Sequence, residues 1–330
     1  MRKSVLVVHH QRQAICLPMS ALPGAAIWKR ALKRNLSNFL QLDSLSYSYN
    51  GRSHKAFSYI MGSCQFQLTS DLHLETPKAY DIYEIKPSAP YLALLGDIGC
   101  VKDEGLMTFL ETQLLQFRLV FFLFGNHEPY GKDWAHTKNT MQEFANRMRQ
   151  RRASNPSLGE FVILDQTRYD ISNDVTVLGC TLFSLVGPTK NDMDHVSFGL
   201  NDFYDIAGWT VEQHNEAHST DLRWLNAQVT TISRAEPSRK IVIMTHHSPT
   251  QDPRAIDPAH AHSPITSGFS TNMSDQPCCT NPNVRVWMYG HTHFNCDFQL
   301  NGTSLRVVTN QRGYYFAQSS GFMADKVIDI

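Results

Sequence analysis

The 330-residue sequence has no excess of either charge: 30 Lys and Arg balance 30 Asp and Glu. That excludes a generally basic nucleic-acid binder and leaves room only for a local patch. Long apolar runs are also missing. The longest, Tyr91–Leu95 and Leu119–Phe124, hold five and six residues, against the roughly 20 that a membrane-crossing helix needs. No secretory signal is legible, because the apolar stretch Val5–Val8 is stopped at once by His9, His10, Gln11, Arg12 and Gln13. Seven cysteines, an odd and scattered set without Cys-x-x-Cys spacing, fit reduced thiols in a cytosolic-type compartment rather than a disulfide framework or a zinc finger. The adjacent pair Cys278 and Cys279 reads as ordinary loop thiols. What is present is a 42% hydrophobic composition, ample for a folded chain of one large domain or two small ones.

The neutrality is a sum of unlike parts. Residues 1–60 carry nine basic side chains against the single acid Asp43, together with eight serines; residues 61–330 carry 21 basic and 29 acidic side chains. The first segment has the composition of a mitochondrial transit peptide. The alternation Cys64, Phe66, Leu68 after Met61 makes a basic extension ahead of a 61–330 domain the simpler expectation, with a cytoplasmic location and a mitochondrial one as its alternative.

From residue 64 onward, short apolar runs bounded by turn residues alternate with amphipathic stretches. Strands are expected at 64–69, 91–95, 119–124, 160–164, 175–182, 241–245 and 284–289, and at 296–300 and 303–309 around the turn dipeptide Asn301-Gly302. Leu106, Phe109, Leu110, Leu114 and Phe117 mark one helix face, and Met141, Phe144, Ala145 and Met148 another. A third helix begins at Thr210, whose hydroxyl and the Gln213 side chain can form a capping box, and runs through Leu222, Leu225, Val229 and Ile232. The fold class is α/β, with mixed sheets covered by helices. Residues 250–281, with four prolines and no periodicity, read as one long loop.

The chemistry gathers where strands end. Five runs finish in Ser70-Asp71-Leu72-His73, Gly96-Asp97, Gly125-Asn126-His127-Glu128, His246-His247-Ser248-Pro249 and Gly290-His291-Thr292-His293. Each delivers Asp, Asn or His to the C-terminal edge, where open α/β sheets place their sites. Any one of these blocks arises by chance; five together point to a metal centre. Other polar residues read as ordinary. His214 and His218, one helical turn apart without a carboxylate at motif spacing, are expected on a solvated helix face. His260 and His262 are expected to be exposed in the long loop, and Arg147, Arg149, Arg151 and Arg152 to form a solvated, dipole-compatible helix end.

In this order the five blocks resemble those of the calcineurin-like metallophosphoesterase superfamily, over about residues 64–313. The resemblance implies a four-layer α/β/β/α sandwich of two mixed sheets flanked by helices. It implies that Asp71, His73 and His293 bind one divalent ion, that Asn126, His246 and His291 bind a second, and that Asp97 bridges them; of the two histidines in His-His-Ser-Pro, the family pattern favours the first. It makes His127 the residue that protonates the leaving oxygen. Two ions of this kind (Mn, Fe, Zn or Ni) acidify a shared water for in-line attack on phosphorus, and imidazole ligands add no charge that would repel a phosphate. Ile98 follows Asp97 where the purple Fe-tyrosinate subclass has tyrosine, which argues against that subclass. The Asn310-Gln311-Arg312-Gly313-Tyr314 block follows a strand, and Arg312 either forks a phosphate or forms a salt bridge.

The leading expectation is thus a dinuclear hydrolase of small phosphate mono- or diesters, with specificity set by residues 250–281 and 185–209. A non-catalytic scaffold on the same fold is the alternative, disfavoured because every ligand position and His127 are intact. A nuclease needs a basic groove, which the acidic balance of residues 61–330 opposes.

Overall fold

The computed structural model describes residues 64–330, and the N-terminal extension expected at 1–60 lies outside them. The first sheet has the order β13-β1-β2-β3-β4, built from Gln65–Thr69 (β1), Tyr91–Leu95 (β2), Leu119–Leu123 (β3), Glu160–Ile163 (β4) and Val327–Asp329 (β13). Its four leading strands are parallel and β13 closes the edge antiparallel to β1. The second sheet has the order β5-β6-β7-β8-β10-β9: Thr167–Asp170 (β5), Val175–Gly179 (β6), Lys240–Met244 (β7), Val284–Tyr289 (β8), Arg306–Thr309 (β10) and Asp297–Gln299 (β9). A small hairpin pairs Gly313–Tyr314 (β11) with Ala317–Gln318 (β12).

Alternation along the strands decides the layers. Phe66, Leu68, Ala93, Leu95, Phe121 and Leu123 of the first sheet meet Val175, Val177, Val242, Met244, Val286 and Met288 of the second in one buried core. The residues between them face outward. Leu92, Leu94, Val120 and Phe122 pack against Glu104–Leu114 (α1) and Trp134–Ser154 (α2) through Leu106, Phe109, Leu110, Met141 and Phe144. On the other side Leu178, Ile241, Ile243, Trp287 and Val307 pack against Leu225, Val229 and Ile232 of Val211–Ala235 (α5). Strands buried on both faces read as continuous apolar runs, which is why they stood out in the sequence. The expected four-layer sandwich is the fold, and no helix of the described residues is long and apolar enough to cross a membrane.

The elements that the sequence did not announce are short or polar, among them the three-residue β13. Strand β5 is Thr-Arg-Tyr-Asp at a sheet edge, with Arg168 and Asp170 exposed. Residues 185–209, where no element was expected, contain Lys190–Gly199 (α3) and Asp202–Asp205 (α4). Residues 250–281 fold into three single turns of tight helix and Pro277–Thr280 (α6), which buries Cys278 and Cys279 in the second core rather than leaving them in a loop.

The solvated face expected for His214 and His218 is wrong: both are buried, on the same stripe of α5 as Val211, Asp221, Leu225, Val229 and Ile232. The reason lies in the loop after β6, where Leu182 and Phe183 take left-handed φ values of 70° and 52°. Backbone groups in such a turn have no ladder partner and must be satisfied by side chains. Ser184 N donates to His214 Nε2 at 3.2 Å, His218 Nδ1 donates to the Leu182 carbonyl at 3.1 Å, and Leu182 N donates to Asp221 Oδ2 at 2.8 Å.

The N-terminus of α5 carries the full capping box between Thr210 and Gln213, so Thr210→Ala should cost about 1 kcal/mol and lower the melting temperature by roughly 2–4 °C, read in a thermal melt. Burial raises the Asp221 carboxyl from 3.8 to about 6, against the lowering effect of its Gln166 and Leu182 bonds. A carboxyl raised on folding binds protons more tightly in the native state, so its contribution to stability falls as pH rises from about 4 to 6. Asp221→Asn should therefore gain stability relative to wild type, by up to about 3 kcal/mol, between pH 4 and 7. Urea unfolding at both pH values checks this, and a pH-independent difference would contradict it.

Candidate active site

The five polar blocks meet at the C-terminal ends of β1, β2 and β3 from one sheet and β7 and β8 from the other. Asp71, His73, Asp97, His291 and His293 all have left-handed φ values, between 46° and 71°. Non-glycine residues adopt that region at a cost of order 1–3 kcal/mol each and persist there only when surroundings over-determine them. Here Asp71 N donates to Gly96 O at 3.0 Å and His73 N to Asp97 O at 2.9 Å, laying one strand-end loop on the next. His291 N in turn donates to both Asp71 carboxylate oxygens, at 3.0 and 3.2 Å. Gly290 permits that approach, since a Cβ there would lie 2.6 Å from both Asp71 Oδ2 and Ser70 Oγ.

The candidate ligands form two adjoining groups. Asp71, His73 and His293 converge in one: His293 Nε2 is 3.4 Å from Asp71 Oδ1 and 2.9 Å from His73 Nε2. Asp97, His246 and His291 converge in the other, with His246 Nε2 at 3.4 Å from Asp97 Oδ2 and 3.1 Å from Asn126 Oδ1. Asp97 Oδ2 also lies 3.9 Å from His73 Nε2, so its carboxylate stands between the groups. His246 faces Asp97, whereas neither ring nitrogen of His247 has a hydrogen-bond partner. His127 adjoins both groups, its Nε2 3.9 Å from Asp97 Oδ2.

The donor chemistry fits divalent cations. His246 Nδ1 donates to the Leu95 carbonyl at 2.8 Å, which aims the Nε2 lone pair at the oxygens of Asp97 and Asn126. Asn126 Nδ2 donates to Asp202 Oδ1 at 2.8 Å and to Tyr130 Oη at 3.2 Å, which turns its amide oxygen inward. Lone pairs aimed at one another repel unless positive charge lies among them, and mixed imidazole, carboxylate and amide donors suit Mn, Fe, Zn or Ni. A proton can supply that positive charge as well as an ion can. Burial opposes charge on His246, but Asp97 outweighs it and pushes the imidazole up to about 9. His127 is likewise pushed up to about 10 by Asp97 and its bond to Glu75, against the effect of burial. Burial would raise Asp97, yet His246 and His127 hold it well below the usual carboxylate range. His291, buried beside His246, is driven down to about 3.

Several residues of this site were not singled out in the sequence. Glu75 Oε1 takes hydrogen bonds from His127 Nδ1 at 2.9 Å and His73 Nδ1 at 3.2 Å, and it forms a third carboxylate–imidazole group with them. Its signal was the spacing: Asp71, His73 and Glu75 recur every second residue. Glu128, the last residue of Gly-Asn-His-Glu, accepts from Gly125 N, Asp97 N and Ile98 N at 2.7, 3.0 and 2.9 Å, stapling two strand ends together. Asp202 and Tyr130 come from segments with no readable motif. The long 250–281 segment also reaches the site, where Phe269 stacks on His291 with centroids 4.7 Å apart. His260 and His262 are exposed, as expected.

The C-terminal block acts as a brace. Asn310 Nδ2 donates to the Leu68 and Met323 carbonyls at 2.6 and 2.7 Å, and Gln311 Oε1 accepts from His293 N at 2.6 Å. Arg312 is in no ion pair among the described residues; its Nη1 donates to the Leu72 carbonyl at 3.1 Å and its guanidinium lies 4.7 Å from the Tyr83 ring. The guanidinium therefore ties down the Asp71–His73 turn. Gly313, at φ 77°, opens the β11–β12 hairpin that carries Tyr314 inward.

Comparison with known proteins agrees with this architecture. Uncharacterized protein L509 of Acanthamoeba polyphaga mimivirus is 25% identical over 277 residues, covering 74% of this chain and 89% of that protein. The solved structure of phosphopantetheinyl hydrolase (PptH) from Mycobacterium tuberculosis matches with a TM-score of 0.53 at 15% identity, covering 76% of this chain and 89% of that one. The family model for calcineurin-like phosphoesterases matches residues 66–295, more than half of the sequence, and the chain belongs to that family.

Proposed function

We propose that the protein is a dinuclear metal-dependent hydrolase of phosphate mono- or diesters. The observation that carries this reading is the convergence of two donor groups about one buried carboxylate, with an imidazole held beside them. Asp71, His73 and His293 would hold one ion, Asn126, His246 and His291 the other, and Asp97 would touch both. Ions bound there would acidify a water to hydroxide and neutralise phosphoryl oxygens. The chain's own residues do the rest. Glu75 occupies His127 Nδ1, so the ring can deliver a proton only from Nε2, to the oxygen that leaves phosphorus. The segments 185–209 and 250–281 would shape the substrate pocket. A hydrolase of the same fold, PptH, supports hydrolytic chemistry on this scaffold.

The test uses full-length protein, 4-nitrophenyl and phenyl phosphate, and their diesters, with Mn added. Asp97→Asn should lose both bound metal, by elemental analysis, and activity. His127→Ala should retain metal yet lose about 10²-fold or more in kcat on phenyl esters, and less on 4-nitrophenyl esters, whose leaving group needs little help from an acid. Chelation should abolish activity and Mn should restore it. Unchanged activity in both variants, or full activity after chelation, would sink the reading.

A further inference from the structure

We propose that Tyr314 is a further catalytic residue, whose hydroxyl binds the leaving-group oxygen alongside His127. The inference rests on the phosphoester-hydrolase reading and deepens it. Tyr314 Oη lies 3.3 Å from His127 Nε2, the nitrogen left free by the Glu75 bond to Nδ1 at 2.9 Å. A leaving oxygen that takes a proton from Nε2 must come within hydrogen-bond reach of that atom. A hydroxyl already at that distance shares the same small volume and can donate to the same oxygen.

The ring gives the hydroxyl little freedom. It stacks on His73 with centroids 4.1 Å apart and planes 24° from parallel, and stands edge-on to His293 at 5.1 Å. The aromatic body is thereby seated on two candidate ligands, and the polar tip is turned to His127 Nε2. The backbone that presents it is anchored as well: Arg312 N donates to the Ser70 carbonyl at 3.1 Å, and Tyr314 pairs with Ala317 across the hairpin. Such a donor, fixed before the reaction, stabilises charge that develops only as the ester bond breaks.

A water that has given one proton to solvent forms the bond from its oxygen to phosphorus, and the bond from phosphorus to the alcohol oxygen breaks with its electron pair on that oxygen. That oxygen takes the Nε2 proton of His127, while Tyr314 donates a hydrogen bond to it and keeps its own proton.

Tyr314→Phe keeps the ring on His73 and removes only the hydroxyl. Steady-state kinetics on phenyl and 4-nitrophenyl esters should show kcat on the phenyl ester falling about tenfold, with KM and metal content unchanged and little loss on the 4-nitrophenyl ester. A role exerted only through His127 would give the same pattern, so the same substitution is also made in a His127→Ala background. There it should still cost at least about threefold on the phenyl ester. Equal rates for wild type and Tyr314→Phe, equal losses on both esters, or no further loss in the His127→Ala background would each overturn the proposal. A wild-type protein inactive on every ester after Mn loading would overturn the phosphoester reading itself, and Tyr314's role with it.

Discussion

The carboxylate of Asp97 is the point on which the rest of the site depends. It is buried at the seam of the two sheets, and an unpaired charge there would be costly enough to unfold the local structure. Its Oδ1 takes the amide of His127 at 2.8 Å, while its Oδ2 faces the imidazoles of His246, His73 and His127 at 3.4, 3.9 and 3.9 Å. One oxygen is thus satisfied within the chain and the other gathers positive charge. A sheet edge that collects buried negative charge and aimed lone pairs is suited to bind cations, and cations so placed attract phosphate.

That arrangement is held by a shell whose members have separate tasks. Glu128 joins the strand ends that carry Asp97 and Asn126; Asp202 and Tyr130 set the face of the Asn126 amide; Glu75 joins His73 to His127 through a single oxygen. Strained left-handed backbone at five of the polar positions is tolerated because these bonds, and the amides laid from one turn on the next, leave no alternative geometry. Farther out, the polar stripe of His214, His218 and Asp221 does the same for the turn at Leu182 and Phe183. Each is a local concession in stability that positions a side chain.

Legibility in the sequence followed burial and period. Strands such as Leu119–Leu123, covered on both faces, announced themselves as apolar runs, and Thr210 with Gln213 announced the start of a helix. Strand β5 did not, because an edge strand is covered on fewer sides and can be built of Thr, Arg and Asp. His214 and His218 were misplaced for a related reason. Polar residues at helical spacing ordinarily face water, and only the left-handed turn lying against this helix gives them buried partners. Asp71, His73, Asp97, Asn126, His127, His246, His291 and His293 could be singled out because each stands beside a strand end with turn chemistry. Asp202 could not, since nothing local to it marks a site; Glu75 was marked only by its place two residues after His73, and Tyr314 only as the end of the block that carries Arg312.

By itself the sequence determined the class of fold, the positions of the main strands along the chain and most of the candidate ligands, because these depend on hydrophobic period and on residues adjacent in the chain. Only the tertiary structure set the distances at which these side chains meet, left both ring nitrogens of His247 without a hydrogen-bond partner, and placed Glu75 and Tyr314 at the two nitrogens of His127. Those outcomes come from contacts between residues far apart in the chain, 220 positions in the case of His291 on Asp71. Partnerships of that kind leave no periodic trace, because they are set by how two sheets stack and where their ends coincide.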